Sequence, residues 1–162
     1  MKVMLIGFGV TLGALVVQGI AVAGGVETIG ALLAKRAVGM DVWRNGVATL
    51  LFIMILLTGH FGQMAVWTTA FMAAGEFDAF GVAFYHAAVN YTTLGYGDIV
   101  MSPRWRVLGP QAAASGTLAF GWSTAAIVTV VIRLGRYRHR AQVREESRGG
   151  SRETREPRPT HQ

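Results

Sequence analysis

Thr92-Thr93-Leu94-Gly95-Tyr96-Gly97-Asp98 sets two glycines two residues apart in a run with neither helical nor alternating periodicity. Immediately before it, Ala79 to Tyr91 reads as a short helix, with Asp78 placed to cap its start. Such a helix rises only about 20 Å, short of the ~20 residues that a membrane crossing needs. On either side lie long runs without a formal charge, Gly46 to Ala74 and Val107 to Ile132. A short helix followed by glycine-rich backbone between two spans predicts a re-entrant loop. Non-helical backbone at membrane depth is tolerated only where protein or a water-filled cavity surrounds it.

Further out, Val3 to Val26 is another uncharged run, long enough to cross a bilayer. It is rich in glycine, and Gly9 and Gly13 stand four apart, a spacing that lets helices approach closely. Lys2, the apolar run and Ala21-Val22-Ala23 also have the pattern of a cleavable signal peptide. The fold class that follows is an all-α integral membrane protein: three transmembrane helices, with a re-entrant helix and loop between the second and third. The expected divisions are a first span at 1–27, a connection at 28–45, a module at 46–135 and a basic disordered tail at 136–162. Within the module the outer helix covers 46–74, the short helix 79–91, the loop 92–98 and the inner helix 103–135. Ser102-Pro103 supplies the inner helix's N-cap and first position.

The charges agree. Charged residues are 15% of the chain, and 13 of the 24 lie in the last 30 positions. A soluble domain would need roughly 25% to cover its surface. A cytosolic enzyme is therefore excluded, and the net charge of +6 comes from the tail rather than from a nucleic-acid-binding face. With no cysteine there are no disulfides and no thiolate sites. No hydrolase triad, phosphate loop or metal box is present, so neither an enzymatic activity nor a cofactor is expected. His60 and Gln63, one turn apart in the second span, should face other helices. A packing histidine is the expected reading, because a proton relay would need ionisable partners that this span lacks.

Orientation follows from lysine and arginine near the span ends. Lys35, Arg36 and Arg44 flank the first connection, and Arg133, Arg136, Arg138 and Arg140 follow the third span. The opposite ends hold Lys2, Arg104 and Arg106. The expected arrangement is a multi-pass protein of the cell membrane with its N-terminus and the 75–106 loop outside and its C-terminus in the cytoplasm. Cleavage after Ala23 would place the arginine-rich tail outside, so the first span is kept. Trp43, Trp67 and Trp105 fall at the expected membrane surfaces, as anchors do, and Trp122 falls mid-span, for packing. Arg136, Arg138 and Arg140 could also attract anionic lipids, by about 1 kcal/mol per charge.

Thr93 to Asp98, with the flanking helices, resembles the selectivity-filter signature of potassium channels, and residues 46–135 resemble that family's pore module. The resemblance implies a homotetramer that conducts potassium passively, the permeant ion being its only ligand. The carbonyls of Thr93, Leu94, Gly95 and Tyr96, with the Thr93 hydroxyl, would form stacked rings that replace the ion's water. Gly95 and Gly97 would supply the positive φ that aims successive carbonyls one way. Thr92 and Asp98 would support the filter, with Tyr85 and His86 as an aromatic cuff around Tyr96. Leu94 departs from the family's usual Val or Ile, and should alter packing behind the filter. Val89 and Asn90 stand where some members carry a carboxylate, so Asp98 is expected to lack that carboxylate partner. Gly116 and Gly121 resemble the family's inner-helix hinge pair, with Pro110 a competing kink. Two other readings stay open: a non-conducting interaction protein that keeps this fold, and a weakly selective cation channel.

Overall fold

The computed structural model describes residues 1–35, 37, 38 and 41–153, with side chains described as far as Val143. Arg36 and residues 154–162 lie outside the described residues. Among these, all regular structure is helical: α1 (Lys2–Ala34), α2 (Val42–Ala73), α3 (Phe80–Tyr91) and α4 (Leu108–Glu153). Three stretches are long and apolar enough to cross a membrane: Lys2–Ala34, Val42–Ala73 and Leu108–Val143.

The helices overrun the expected boundaries because a helix need not stop where the hydrocarbon does. α1 continues past Glu27 to bury Ile29 and Leu33, so the connection shortens to residues 35–41. α2 begins at Val42, where the Asp41 side chain accepts a hydrogen bond from the Trp43 amide at 3.1 Å. α3 starts at Phe80 with Ala79 in the cap position, so Asp78 does not cap it. α4 starts five residues later than expected. Ser102 is not its cap, because the Ser102 amide and hydroxyl both donate to the Glu76 carboxylate, each at 2.6 Å. Those bonds tie together the two ends of the segment that carries α3. At its other end α4 is helical to Glu153, where a disordered tail was expected. Arginine, glutamine and alanine propagate a helix that the span has already nucleated, even without a core to pack on.

α1 and α4 run parallel and α2 runs against both. Gln111 near the start of α4 donates to the Met4 carbonyl at 3.2 Å, and further along Gln18 bonds Ser123. The N-terminus therefore shares an end with the 75–107 loop, as expected. Two apolar clusters fill the bundle. One surrounds α3 with Trp67, Phe71, Ala87, Tyr91, Leu108 and Ala112; the other joins the far ends of the spans through Ile29, Leu33, Phe52, Leu56, Val130 and Leu134. Gly25 brings α1 onto the Phe52 ring, while Gly9 and Gly13 face open space, so the close approach does not use the expected pair. Trp67 is fully buried and its indole donates to Ser115 Oγ at 2.8 Å, so it is a core residue and not a surface anchor. Trp122 lies beside Gly19, between α4 and α1.

Candidate functional site

α3 ends at Tyr91, and the chain turns at once into the Thr92–Asp98 loop. The turn is built from the helix's own terminal carbonyls. The Thr93 amide donates to Asn90 O (2.9 Å), and the Leu94 and Gly95 amides donate to Val89 O (2.9 and 3.2 Å). In a trans peptide the C=O points opposite to the next residue's N–H. With those three amides turned toward α3, the carbonyls of Thr92, Thr93 and Leu94 must point away from it. Backbone handedness alternates to match: Thr93, Gly95 and Gly97 have φ of 62°, 59° and 72°. The two glycines were expected there. Thr93 is a β-branched residue in a region that L side chains avoid, and it holds strain of order 1–3 kcal/mol. The whole loop is exposed in the single chain, with Tyr96 at 67%.

A family model described as an ion channel matches residues 48–133, more than half of the chain. The chain belongs to this ion-channel family. Its matched part is a potassium-channel-type pore module of two spans, and α1 lies outside it. No curated protein and no solved structure matches the chain.

In this channel module α2 is the outer helix, α3 the pore helix and α4 the inner helix. The two pore-helix aromatics do different work. The Tyr85 hydroxyl donates to Asp98 Oδ2 at 2.7 Å, so a hydroxyl of the pore helix partners Asp98 where some members use a carboxylate. This bond holds the Asp98 carboxyl below its usual range and raises the Tyr85 hydroxyl. No local pattern announces this bond, because Tyr85 and Asp98 stand 13 residues apart on different elements. Asn90 instead lies beside the His86 ring (3.2 Å) and donates to the His86 carbonyl (2.9 Å).

Within the single chain His86 makes no ring contact with Tyr96. It is buried behind the loop, with its ring 5.3 Å from Phe71 and 5.0 Å from Phe77. Burial lowers its pKa, against the opposing pull of the Ile99 backbone, Asp98 and Glu76. Within one chain no ring contact joins Tyr96 to Tyr85 or His86 among the described residues. The Leu94 side chain is likewise exposed in the single chain.

The inner helix meets the pore helix at Gly116. A Cβ there would overlap the Tyr91 carbonyl, whereas a Cβ at Gly121 meets nothing in the single chain. Gly116 is therefore a contact glycine, where even a methyl group does not fit. Pro110 is the third residue of α4, where the backbone N–H has no helical partner to lose, so it makes no kink. His60 and Gln63 both face the interior, as expected: His60 contacts Tyr91 and Ser123, and Gln63 contacts Gln18. These partners are not legible in the sequence. They come from three other elements, and nothing in local spacing reports them.

Proposed function

We propose that the chain is one subunit of a homotetrameric, potassium-selective channel, passing the ion passively across the cell membrane. The observation that carries this reading is the loop's backbone. Its amides are turned back on the pore helix, its handedness alternates at Thr93, Gly95 and Gly97, and its residue types are those of a carbonyl filter. One such strand offers a potassium ion ligands from one side only. Four strands around an axis would replace its water, which supports a closed cyclic tetramer. Thr93, Leu94, Gly95 and Tyr96 would supply the rings, with Gly97 completing the alternation. Thr92 caps the pore helix, donating its hydroxyl to the Ala88 carbonyl at 2.7 Å, and Asp98 ties the outer end to Tyr85.

The arginine distribution supports an external N-terminus and loop, with a cytoplasmic C-terminus. At that cytoplasmic end Arg133, Arg136 and Arg140 line a cleft of about 850 Å³ with Tyr137, Thr129 and Ala34. Such a basic cleft at the membrane surface suits the phosphate of an anionic lipid.

The test is flux through proteoliposomes. Wild type should take up potassium passively. Gly95→Ala should abolish selective flux, because a Cβ at φ 59° strains the loop and misaims its carbonyls. Wild-type protein that conducts nothing would identify a non-conducting member of the fold. Flux that does not distinguish sodium from potassium would identify a weakly selective cation channel.

A further inference from the structure

We infer that α1 is a positioning element for the pore loop, acting through a buried hydrogen-bond chain that runs from Gln18 through Ser123 and His60 to Tyr91. The inference rests on the channel reading for its consequence, but the chain itself stands on geometry. Gln63 Nε2 donates to Gln18 Oε1 (2.8 Å), and Gln18 Nε2 donates to Ser123 Oγ (2.7 Å). Ser123 Oγ lies 3.0 Å from His60 Nε2, and His60 Nδ1 lies 2.7 Å from the Tyr91 hydroxyl. Every member is at most 6% exposed. The chain touches all four helices, at the level between the two apolar clusters.

One proton arrangement satisfies the chain throughout. In it the Ser123 hydroxyl donates to the Ala119 carbonyl at 2.8 Å and accepts from Gln18 and from His60 Nε2, while His60 Nδ1 accepts from the Tyr91 hydroxyl. Within this hydrogen-bond chain, Gln63 Oε1 is the one buried side-chain polar atom without a hydrogen-bond partner.

The chain is specific to α1 and to the pore loop at once. Thr11 and Thr28 return their hydroxyls to carbonyls of α1 itself, whereas Gln18 crosses to two other helices. The outer helix is cut away to admit it. A Cβ at Gly59 would come within 2.7 Å of Gln18 Oε1, and one at Gly62 within 2.9 Å of Val17. In hydrocarbon an unpaired amide is costly, so Gln18 is held where its partners are. At the other end Tyr91 is the last residue of the pore helix. Its carbonyl abuts Gly116, and the next residue opens the loop. Gln18, Ser123 and His60 are thus positioning residues that act on the loop through Tyr91.

Hydrogen exchange on the full-length protein in nanodiscs tests this without relying on conduction. Gln18→Leu should speed exchange of the Thr92–Gly95 amides about three- to ten-fold, the scale of one or two intramembrane hydrogen bonds. Tyr91→Phe, which removes only a hydroxyl, should do the same. The double variant should exchange no faster than the faster single, because both cut one path. Ser123→Ala provides a third cut should Gln18→Leu fail to assemble. Unchanged exchange at 92–95, fully multiplicative effects in the double variant, or equal loosening of the far cluster around Phe52 and Val130 would each overturn the inference. Conduction gives the separate readout. In a wild type that selects potassium, Gln18→Leu should lower the potassium-to-sodium permeability ratio. Non-selective wild-type flux would count against the potassium-selective reading while leaving the exchange result to decide the role of α1.

Discussion

His86 shows how one residue's surroundings override its position in a motif. Its place in the sequence aligned it with a filter cuff, but its ring is buried between Phe71 and Phe77, and burial lowers its pKa. The charged neighbours Asp98 and Glu76 pull the other way and are outweighed. The unfolded chain takes up this proton near pH 6.5, and the folded one only at lower pH. The folded state therefore binds fewer protons in that window, so stability falls as pH drops below about 6.5 and is unaffected by this group above it. Thermal unfolding of the detergent-solubilised protein at pH 7.5 and pH 5.5 should show this loss. His86→Phe should reduce it, and an identical loss in that variant would remove His86 from the account. At Gly95 and Gly97 the chemistry was legible because glycine advertises positive φ. At Thr93 it was not, since the same backbone state is imposed on a residue that does not favour it.

Among the elements, the inner helix departs most from its sequence reading. Its glycine pair was legible, but the roles of the two glycines were not, because a contact with another helix leaves no trace in spacing. Gly116→Ala drives a methyl group into the Tyr91 carbonyl and should destabilise the protein by about 1–3 kcal/mol, as overpacking does. Gly121→Ala meets open space within the chain and gains up to ~1 kcal/mol of helix propensity, so it should be neutral or stabilising. Paired thermal-unfolding curves check this, and equal effects would contradict the contact assigned to Gly116. The three spans and the short helix were readable from uncharged length alone. Their ends were not, because polar helix formers carry α4 beyond the apolar run and Glu76 diverts Ser102 from capping. The interior polar residues were half legible. His60 and Gln63 were expected to face inward, but their partners Tyr91, Ser123 and Gln18 are distant in sequence.

For the whole molecule, parallel α1 and α4 put the N-terminus and the loop at one end of the bundle. In the proposed orientation that end lies outside, because the arginines cluster at the other. The chain has no cysteine, so single introduced ones report cleanly. Lys2→Cys should react with an impermeant thiol reagent in intact cells and Ser151→Cys should not; the reverse pattern would invert the topology. The central claim is that the Thr93–Gly97 backbone replaces the water of potassium and of little else. Its most direct measurement is the reversal potential of the purified wild-type channel in a planar bilayer, with potassium on one side and sodium on the other. The account predicts a potential far from zero, with the sign for potassium flowing down its gradient and a permeability ratio unchanged by the direction of the gradient. A reversal potential at zero would contradict it.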